Sequence, residues 1–447
     1  MPGHSRPLPL KQLGAPLFFL LGLFGCSSSQ PPVATAPHVA PVVQPAAPVF
    51  PVMLGIDVLE ARGFDAVKGK RIGLLTHPAG VNRRGVSTIE ILRHAPGVQL
   101  VALYAVEHGL YDEVPAETPF PDKVDPHTGL MVFSLYNKTK HFVPTPAQLR
   151  GIDALVIDLQ DNGTRSYTFT GAMKSAMEAC FANGKEVIVL DRPNPLGGLK
   201  VDGPPLDPQL MSDVGRFRVP YVHGLTMGEL ALMVKDAVPP GGLAISDSAR
   251  HNAKLTVIPM RGWRRAMRWP ETGLTFVPTS TNIQDFAACM GYPMTGLGCI
   301  LGGFTHGVGK SYPFRGIAHR TVKIDVVEKE LRALNLPGLQ YRRVSAPDRF
   351  GKPATGLYIE IADYDEWQPT ELSFHLMQLA CKLEPKNPFA TAKAADKRTF
   401  LVHMGSNAFF NDLAAKGAKV DIDAWLHQWR EQAKIYQEES KRYWLYR

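Results

Sequence analysis

Uninterrupted aliphatic runs punctuate the chain from about Met53 onward: Arg71 to Thr76 (RIGLLT), Val98 to Val106 (VQLVALYAV), Ala154 to Leu159 (ALVIDL) and Glu186 to Leu190 (EVIVL). Short runs without polar alternation suit strands covered on both faces, as in a parallel sheet. Between them the pattern turns helical. Ser87 to His94 carries Ile89, Ile91 and Leu92, and Ser166 to Asn183 sets Ala172, Ala176, Ala179 and Cys180 at helical spacing ahead of Gly184. Thr226 and Glu229 read as a capping box opening the run Leu230 to Val234. This alternation predicts an α/β domain with a mostly parallel sheet over residues 52–275.

From 238 to 275 prolines, glycines and a Trp/Arg cluster interrupt the rhythm, and beyond Phe276 the chain is less regular. A strand at Gly356 to Ala362 and amphipathic helices at Leu372 to Leu383 and Ile422 to Tyr443 predict a smaller α+β domain over 276–447.

The N-terminus is patterned differently. His4, Arg6 and Lys11 precede an apolar run from Leu13 to Gly25, too short to span a bilayer, and the first acid is Asp57. Residues 1–25 read as a secretion signal ending at Leu23-Phe24-Gly25-Cys26, which resembles a bacterial lipobox with Cys26 as the lipidated residue. Ser27 after the cysteine resembles an outer-membrane destination, facing the periplasm. Residues 26–51, rich in Pro, Ala, Ser and Val, read as a tether.

Composition narrows the classes. Lys plus Arg number 49 and Asp plus Glu 41 in 447 residues, a net charge of +8 with no dense basic block, which argues against nucleic-acid binding and suits anionic lipids or glycans. Cys180, Cys289, Cys299 and Cys381 form no zinc-site spacing, so no metal is expected; Cys289 and Cys299 are the nearest pair for a disulfide, with buried free thiols the other reading. No nucleotide cofactor is expected, because the turn His77-Pro78-Ala79-Gly80 lacks a glycine-rich cradle and Gly296-Leu297-Gly298 meets Leu301 where a third glycine is required.

The reactive side chains follow the strands. His77 trails the first run, Glu107 and His108 the second, Asp158, Gln160, Asp161 and Asn162 the third, and Asp191, Arg192 and Asn194 the fourth. In a parallel sheet these ends share one edge, where open α/β folds bind ligands. Glu107, emerging from an apolar strand, is the leading candidate for proton transfer, since desolvation would favour its protonated form.

The succession EHG (107–109), VDPHTG (124–129), SLYNKT (134–139), DLQDNGTRSYT (158–168), DRPNPLGG (191–198), HGLTMGELA (223–231) and RYWLY (442–446) resembles the exo-β-N-acetylmuramidases of glycoside hydrolase family 171. The resemblance implies a Rossmann-like domain, a smaller C-terminal domain, and a cleft between them that removes terminal N-acetylmuramic acid from peptidoglycan fragments in cell-wall turnover. It further implies Glu107 as the catalytic acid, with Asp158, Gln160, Asp161, Arg165, Tyr167, Arg192 and Asn194 lining the cleft. Cleavage needs a proton for the leaving oxygen and a second carboxyl group, the latter expected from Asp161 or Asp158. Arg165 or Arg192 would suit the lactyl carboxylate. His77 and His108 complete the expected substrate-binding set. The stretch from Gly302 to Phe314 lacks the acid usual in the family, which leaves a non-catalytic glycan-binding lipoprotein as the alternative.

Overall fold

In the computed structural model the described residues are 52–115, 118–136, 142–348 and 350–447. The signal segment, Cys26 and the tether lie outside them. The four aliphatic runs form β1 (Arg71–Thr76), β2 (Gln99–Ala105), β5 (Ala154–Asp158) and β6 (Glu186–Leu190). With β3 (Lys123–Val124), β4 (Met131–Ser134) and β7 (Leu255–Ile258) they build a sheet of order β3-β4-β2-β1-β5-β6-β7, parallel except for β3. The chain leaves β1 toward β2 and β4 on one side, then returns to β5, β6 and β7 on the other. The topological switch point therefore lies between β1 and β5.

Alternate residues of each strand face opposite layers. Leu75, Leu155, Ile157, Val187 and Val189 pack under α4 (Thr168–Ala182) and α5 (Met227–Asp236), while Ile72, Leu74, Val156, Ile188 and Leu190 pack on α1 (Gly55–Ala61) and α2 (Thr88–Arg93). Short helices α3 (Pro146–Leu149) and α6 (Asp247–Asn252) complete this lobe. Ser87 caps α2, and the Thr226/Glu229 capping box starts α5.

The second lobe holds an antiparallel sheet of β8 (Phe304–Thr305), β9 (Gly316–His319), β10 (Leu339–Pro347) and β11 (Pro353–Ile361), ordered β10-β11-β9-β8. Around it lie α7 (Phe286–Thr295), α8 (Ile324–Ala333), α9 (Glu371–Leu383), α10 (Ala394–Met404), α11 (Asn407–Lys416) and α12 (Ile422–Ser440). Leu196, Leu206 and Tyr221 of the first lobe join the core made by Ile317, Leu357, Phe374 and Trp429.

Two features differ from the sequence pattern. The interruption between 238 and 275 contains β7, whose alternating burial marks an edge strand. The last residues fold back onto the first sheet: Tyr446 is buried among its residues, Leu445 donates its backbone N–H to Glu229, and Arg265 donates its own to the Arg447 carbonyl. The four described cysteines are free thiols, Cys180 and Cys289 fully buried.

Candidate active site

Two residues past the end of β2, Glu107 stands half-buried in a cavity of about 530 Å³ between the lobes. From the sheet lobe the cavity is lined by Glu107, His108, Ser166, Tyr167, Thr168 and Phe169; Ser280, Asn282, Tyr292, Phe314 and His403 face it from the other side, and Asp213 also lines it. The Thr168 hydroxyl, in the first turn of α4, donates to Glu107 Oε2 at 3.4 Å. Ser166 Oγ lies 2.7 Å from the Tyr221 hydroxyl and 3.4 Å from that of Tyr292. Burial pushes the Tyr292 phenol up, and the nearby charges of Glu107 and Asp161 push it further, so it remains a hydrogen-bond donor across the physiological range.

The backbone around this cavity is strained. His108 (φ 75°), Phe142 (φ 64°) and Phe314 (φ 59°) all line it in the left-handed region that non-glycine residues rarely occupy. His108 is held there by its Nδ1–H, which donates to the Val114 carbonyl at 3.2 Å, and by Asp112 Oδ1 at 3.8 Å.

A second group of expected site residues lies beneath the cleft, already engaged. Arg192 clamps Asp158 through Nε (2.6 Å) and Nη2 (2.8 Å), and Nη2 also reaches the Val81 carbonyl at 2.7 Å. Both side chains are buried, and Asp158 also accepts from the Thr88 hydroxyl. Arg165 donates to the carbonyls of Pro204 (2.7 Å), Val219 (2.9 Å) and Met404 (2.8 Å), tying α10 to the first lobe. Burial lowers its pKa to about 10. Asp161 Oδ2 accepts from the Gly163 N–H at 2.8 Å and sits 3.4 Å from His223 Nε2. Asn194 bridges the Leu225 carbonyl and the Leu196 N–H. Gln160 bonds the carbonyls of Asp161 and Pro193 through its side chain, and its backbone N–H donates to His77 Nε2 at 3.0 Å. Burial, helped by the Arg192 charge, drives the His77 pKa down to about 3 and keeps the ring neutral.

Of the expected residues, then, the structure gathers Glu107, His108 and Tyr167 in the cleft. Asp158, Asp161, His77, Gln160, Arg165, Arg192 and Asn194 do not line it, because each is held in the packed layer below or beside it. Asp158 or Asp161 as the second carboxyl group, and Arg165 or Arg192 as the lactyl contact, would need these side chains to face the cavity. Asp158 and Arg192 instead hold each other and Arg165 holds backbone carbonyls, bonds that turning outward would cost, while Asp161 keeps Oδ2 on the Gly163 N–H and leaves Oδ1 without a hydrogen-bond partner. Sequence reasoning missed Tyr292, Ser280 and Asn282, which lie in the segment without clear periodicity, and Asp213, which sits in a loop with no motif. Among the described residues no group of three His, Cys, Asp or Glu side chains is arranged to hold a metal ion.

Comparison with known proteins supplies the context for this geometry. Residues 72–287 match the family model for the N-terminal domain of the exo-β-N-acetylmuramidase NamZ, and residues 290–446 match that for its C-terminal domain. The peptidoglycan β-N-acetylmuramidase NamZ of Bacillus subtilis (strain 168) is 37% identical over 352 residues, 77% of this chain and 81% of the relative. A crystallographically solved DUF1343 family protein of Bacteroides fragilis NCTC 9343 superposes with a TM-score of 0.78 at 36% identity, covering 89% of this chain and 99% of that one. A second from the same organism shares the fold, with a TM-score of 0.65 at 24% identity and the same coverage.

Proposed function

Because the chain belongs to the exo-β-N-acetylmuramidase NamZ family, we infer that it is a glycosidase of cell-wall turnover, releasing terminal N-acetylmuramic acid from peptidoglycan fragments. The observation that carries the mechanism is the position of Glu107, the acid that follows an apolar strand into a sugar-sized cleft beside strained His108. Its carboxylic acid donates a proton to the leaving glycosidic oxygen while positive charge develops at the anomeric carbon. Among the described residues the other acid lining the cleft is Asp213. It is ion-paired with Arg216 at 2.5 Å but its side chain is 41% exposed, so unlike the buried Asp158 it can turn without leaving a buried charge, and the second carboxyl role falls to it. With Arg165 and Arg192 engaged elsewhere, the lactyl carboxylate is met by neutral donors, of which Ser280, Asn282 and the Tyr292 hydroxyl face the cavity.

The test is release of N-acetylmuramic acid from a chromogenic β-N-acetylmuramide by the protein and by Glu107→Gln. The variant is expected to lose about 10²- to 10⁴-fold in kcat. Turnover equal to wild type in the variant rules Glu107 out as the acid. Binding without turnover by the wild-type protein would favour the non-catalytic alternative.

We further propose that the enzyme is held at the cell envelope. The lipobox-like segment supports an anchor at Cys26, and Ser27 supports the outer membrane, facing the periplasm. Cys26→Ala is expected to move the protein from the membrane to the soluble fraction.

A further inference from the structure

At the same sheet edge a second, smaller hollow of about 190 Å³ opens beside the switch point. Its wall includes Asn82, Arg83 and Arg84 from the turn after β1, Gln160 after β5, Arg192 after β6, and Trp269. His77 connects it to the cleft: one side of the ring receives the Gln160 N–H, and the ring packs edge-on against Phe169, 4.7 Å between centroids.

Two observations mark the hollow as built for a ligand. First, its charges are polarised. Among the described residues three guanidinium-bearing side chains line it and no acid does; the counter-ions Asp57, Glu60 and Asp158 lie outside the lining. The contact of Arg83 with Asp57 is long (3.9 Å) and the Arg84–Glu60 pair (3.2 Å) is solvent-exposed and weak for that reason; with the two arginine side chains 35% and 62% exposed, both can turn toward an arriving anion. Second, Asn82 Nδ2 and Gln160 Oε1 are buried without a hydrogen-bond partner, although the two residues are only 1% and 2% exposed. Buried polar atoms are nearly always paired, so a donor and an acceptor left unpaired beside one cavity call for a polar occupant.

We propose that this hollow is a second substrate-binding site, taking a carboxylate group of the same peptidoglycan fragment whose terminal sugar occupies the cleft. The inference rests on the glycosidase reading for the identity of the fragment, though not for the existence of the site. Two sources supply this chemistry: the lactyl carboxylate of a muramic acid farther along the glycan, and the carboxylates of a stem peptide. Arg83 and Arg84 grip the oxygens in fork geometry, and the unpaired amides take the neighbouring polar atoms.

The double variant Arg83→Gln/Arg84→Gln tests this, as both side chains are exposed enough for the fold to survive. On a chromogenic β-N-acetylmuramide without a carboxylate in its aglycone, kcat/KM is expected to stay within about twofold of wild type. On carboxylate-bearing fragments it should fall about tenfold or more, through KM. A loss on a peptide-free tetrasaccharide identifies the lactyl source, and a loss on a disaccharide carrying an L-alanyl-D-glutamyl stem identifies the peptide. Equal effects on all substrates, or none on any, overturn the proposal. Calorimetric titration of the same tetrasaccharide and the stem-bearing disaccharide into Glu107→Gln, with and without the double substitution, measures binding in the absence of turnover. Binding that is tightened by low salt and lost with the two arginines supports the site, and binding unchanged by their removal refutes it. Failure of the glycosidase reading itself would show separately, as no release by wild type from the chromogenic substrate.

Discussion

Glu107 follows β2 and Asp158 ends β5, the two strands that flank β1, so both acids leave one sheet at one edge. Their surroundings are opposite. Glu107 faces a cavity, with the Thr168 hydroxyl at 3.4 Å and a neighbour in the chain held in a strained backbone conformation. Asp158 is fully buried, clamped by Arg192 and capped by Thr88. The same contrast separates the open cleft from much of the layer beneath it, where Arg265 pairs with Glu229, Asp191 accepts from several donors and Arg165 holds three backbone carbonyls. Polar strand ends in such a sheet therefore do two jobs: a few carry the chemistry, and more of them lock the loops that aim those few.

The sharpest way to break this comparison is to neutralise one acid on each side. Asp158→Asn leaves the Arg192 guanidinium buried opposite a neutral group and is expected to cost about 3–5 kcal/mol, read as a fall in the denaturant midpoint. Glu107→Gln should leave the unfolding free energy within about 0.5 kcal/mol while cutting turnover about 10²- to 10⁴-fold. A folded, stable Asp158→Asn enzyme with no activity would move Asp158 from scaffold to chemistry.

The next effect is a pH dependence confined to the buried layer. Burial raises the Asp191 carboxyl from an ordinary 3.8 to about 6, although Tyr446, Thr226 and the Gly228 N–H all donate to it. Between those two values the native state keeps a proton that the unfolded chain releases. Stability from this group is thus fully present below the unfolded value and is lost as pH rises through the folded one. A shift of this size corresponds to about 3 kcal/mol. Asp191→Asn keeps the shape and removes the titration, so the gap in unfolding free energy between wild type and variant should drift by about that amount from pH 4 to pH 7. A gap independent of pH would show that the carboxyl titrates alike in both states.

How much of this was legible in the sequence follows from the same contrast. Strands β1, β2, β5 and β6 announce themselves because burial on both faces demands unbroken aliphatic runs, and Ser87 and Thr226 mark helix starts by their own hydrogen bonds. Strand β7 is half exposed at an edge, and β10 exposes the consecutive residues Arg342 and Arg343, so neither reads as apolar. At the site, position along a strand gave the right edge for every polar group, but direction is invisible in one dimension: Glu107 opens into the cleft while Asp158 and Arg192 turn to each other. Tyr292 and Asp213 reach the cavity from parts of the chain that only tertiary folding brings near.

A smaller effect is expected at the C-terminus, where the fold ties its last turn to the buried layer. The Tyr446 hydroxyl donates to Asp191 and accepts from the Met260 N–H at 2.9 Å, while its ring packs edge-on to Trp263. Tyr446→Phe keeps the ring and loses both bonds, at about 1–2 kcal/mol by thermal or denaturant unfolding. Since the cleft is not touched, KM for an N-acetylmuramide should hold; a change in KM without a change in stability would join the terminus to the cleft.

The mildest change probes the cleft side alone. His108 occupies φ 75°, a conformation that asparagine tolerates better than most side chains, so His108→Asn should alter unfolding free energy by no more than about 0.5 kcal/mol. What it removes is the imidazole whose Nδ1–H bonds the Val114 carbonyl and whose ring borders Glu107 in the cavity. If the strained turn exists to set that ring against the substrate, kcat falls, by about tenfold, in a protein that melts where wild type does. A variant that is fully active would assign the turn to packing, and one that unfolds readily would place His108 with Asp158 in the scaffold. Either result would redraw the boundary between the two layers at the residue next to the catalytic acid.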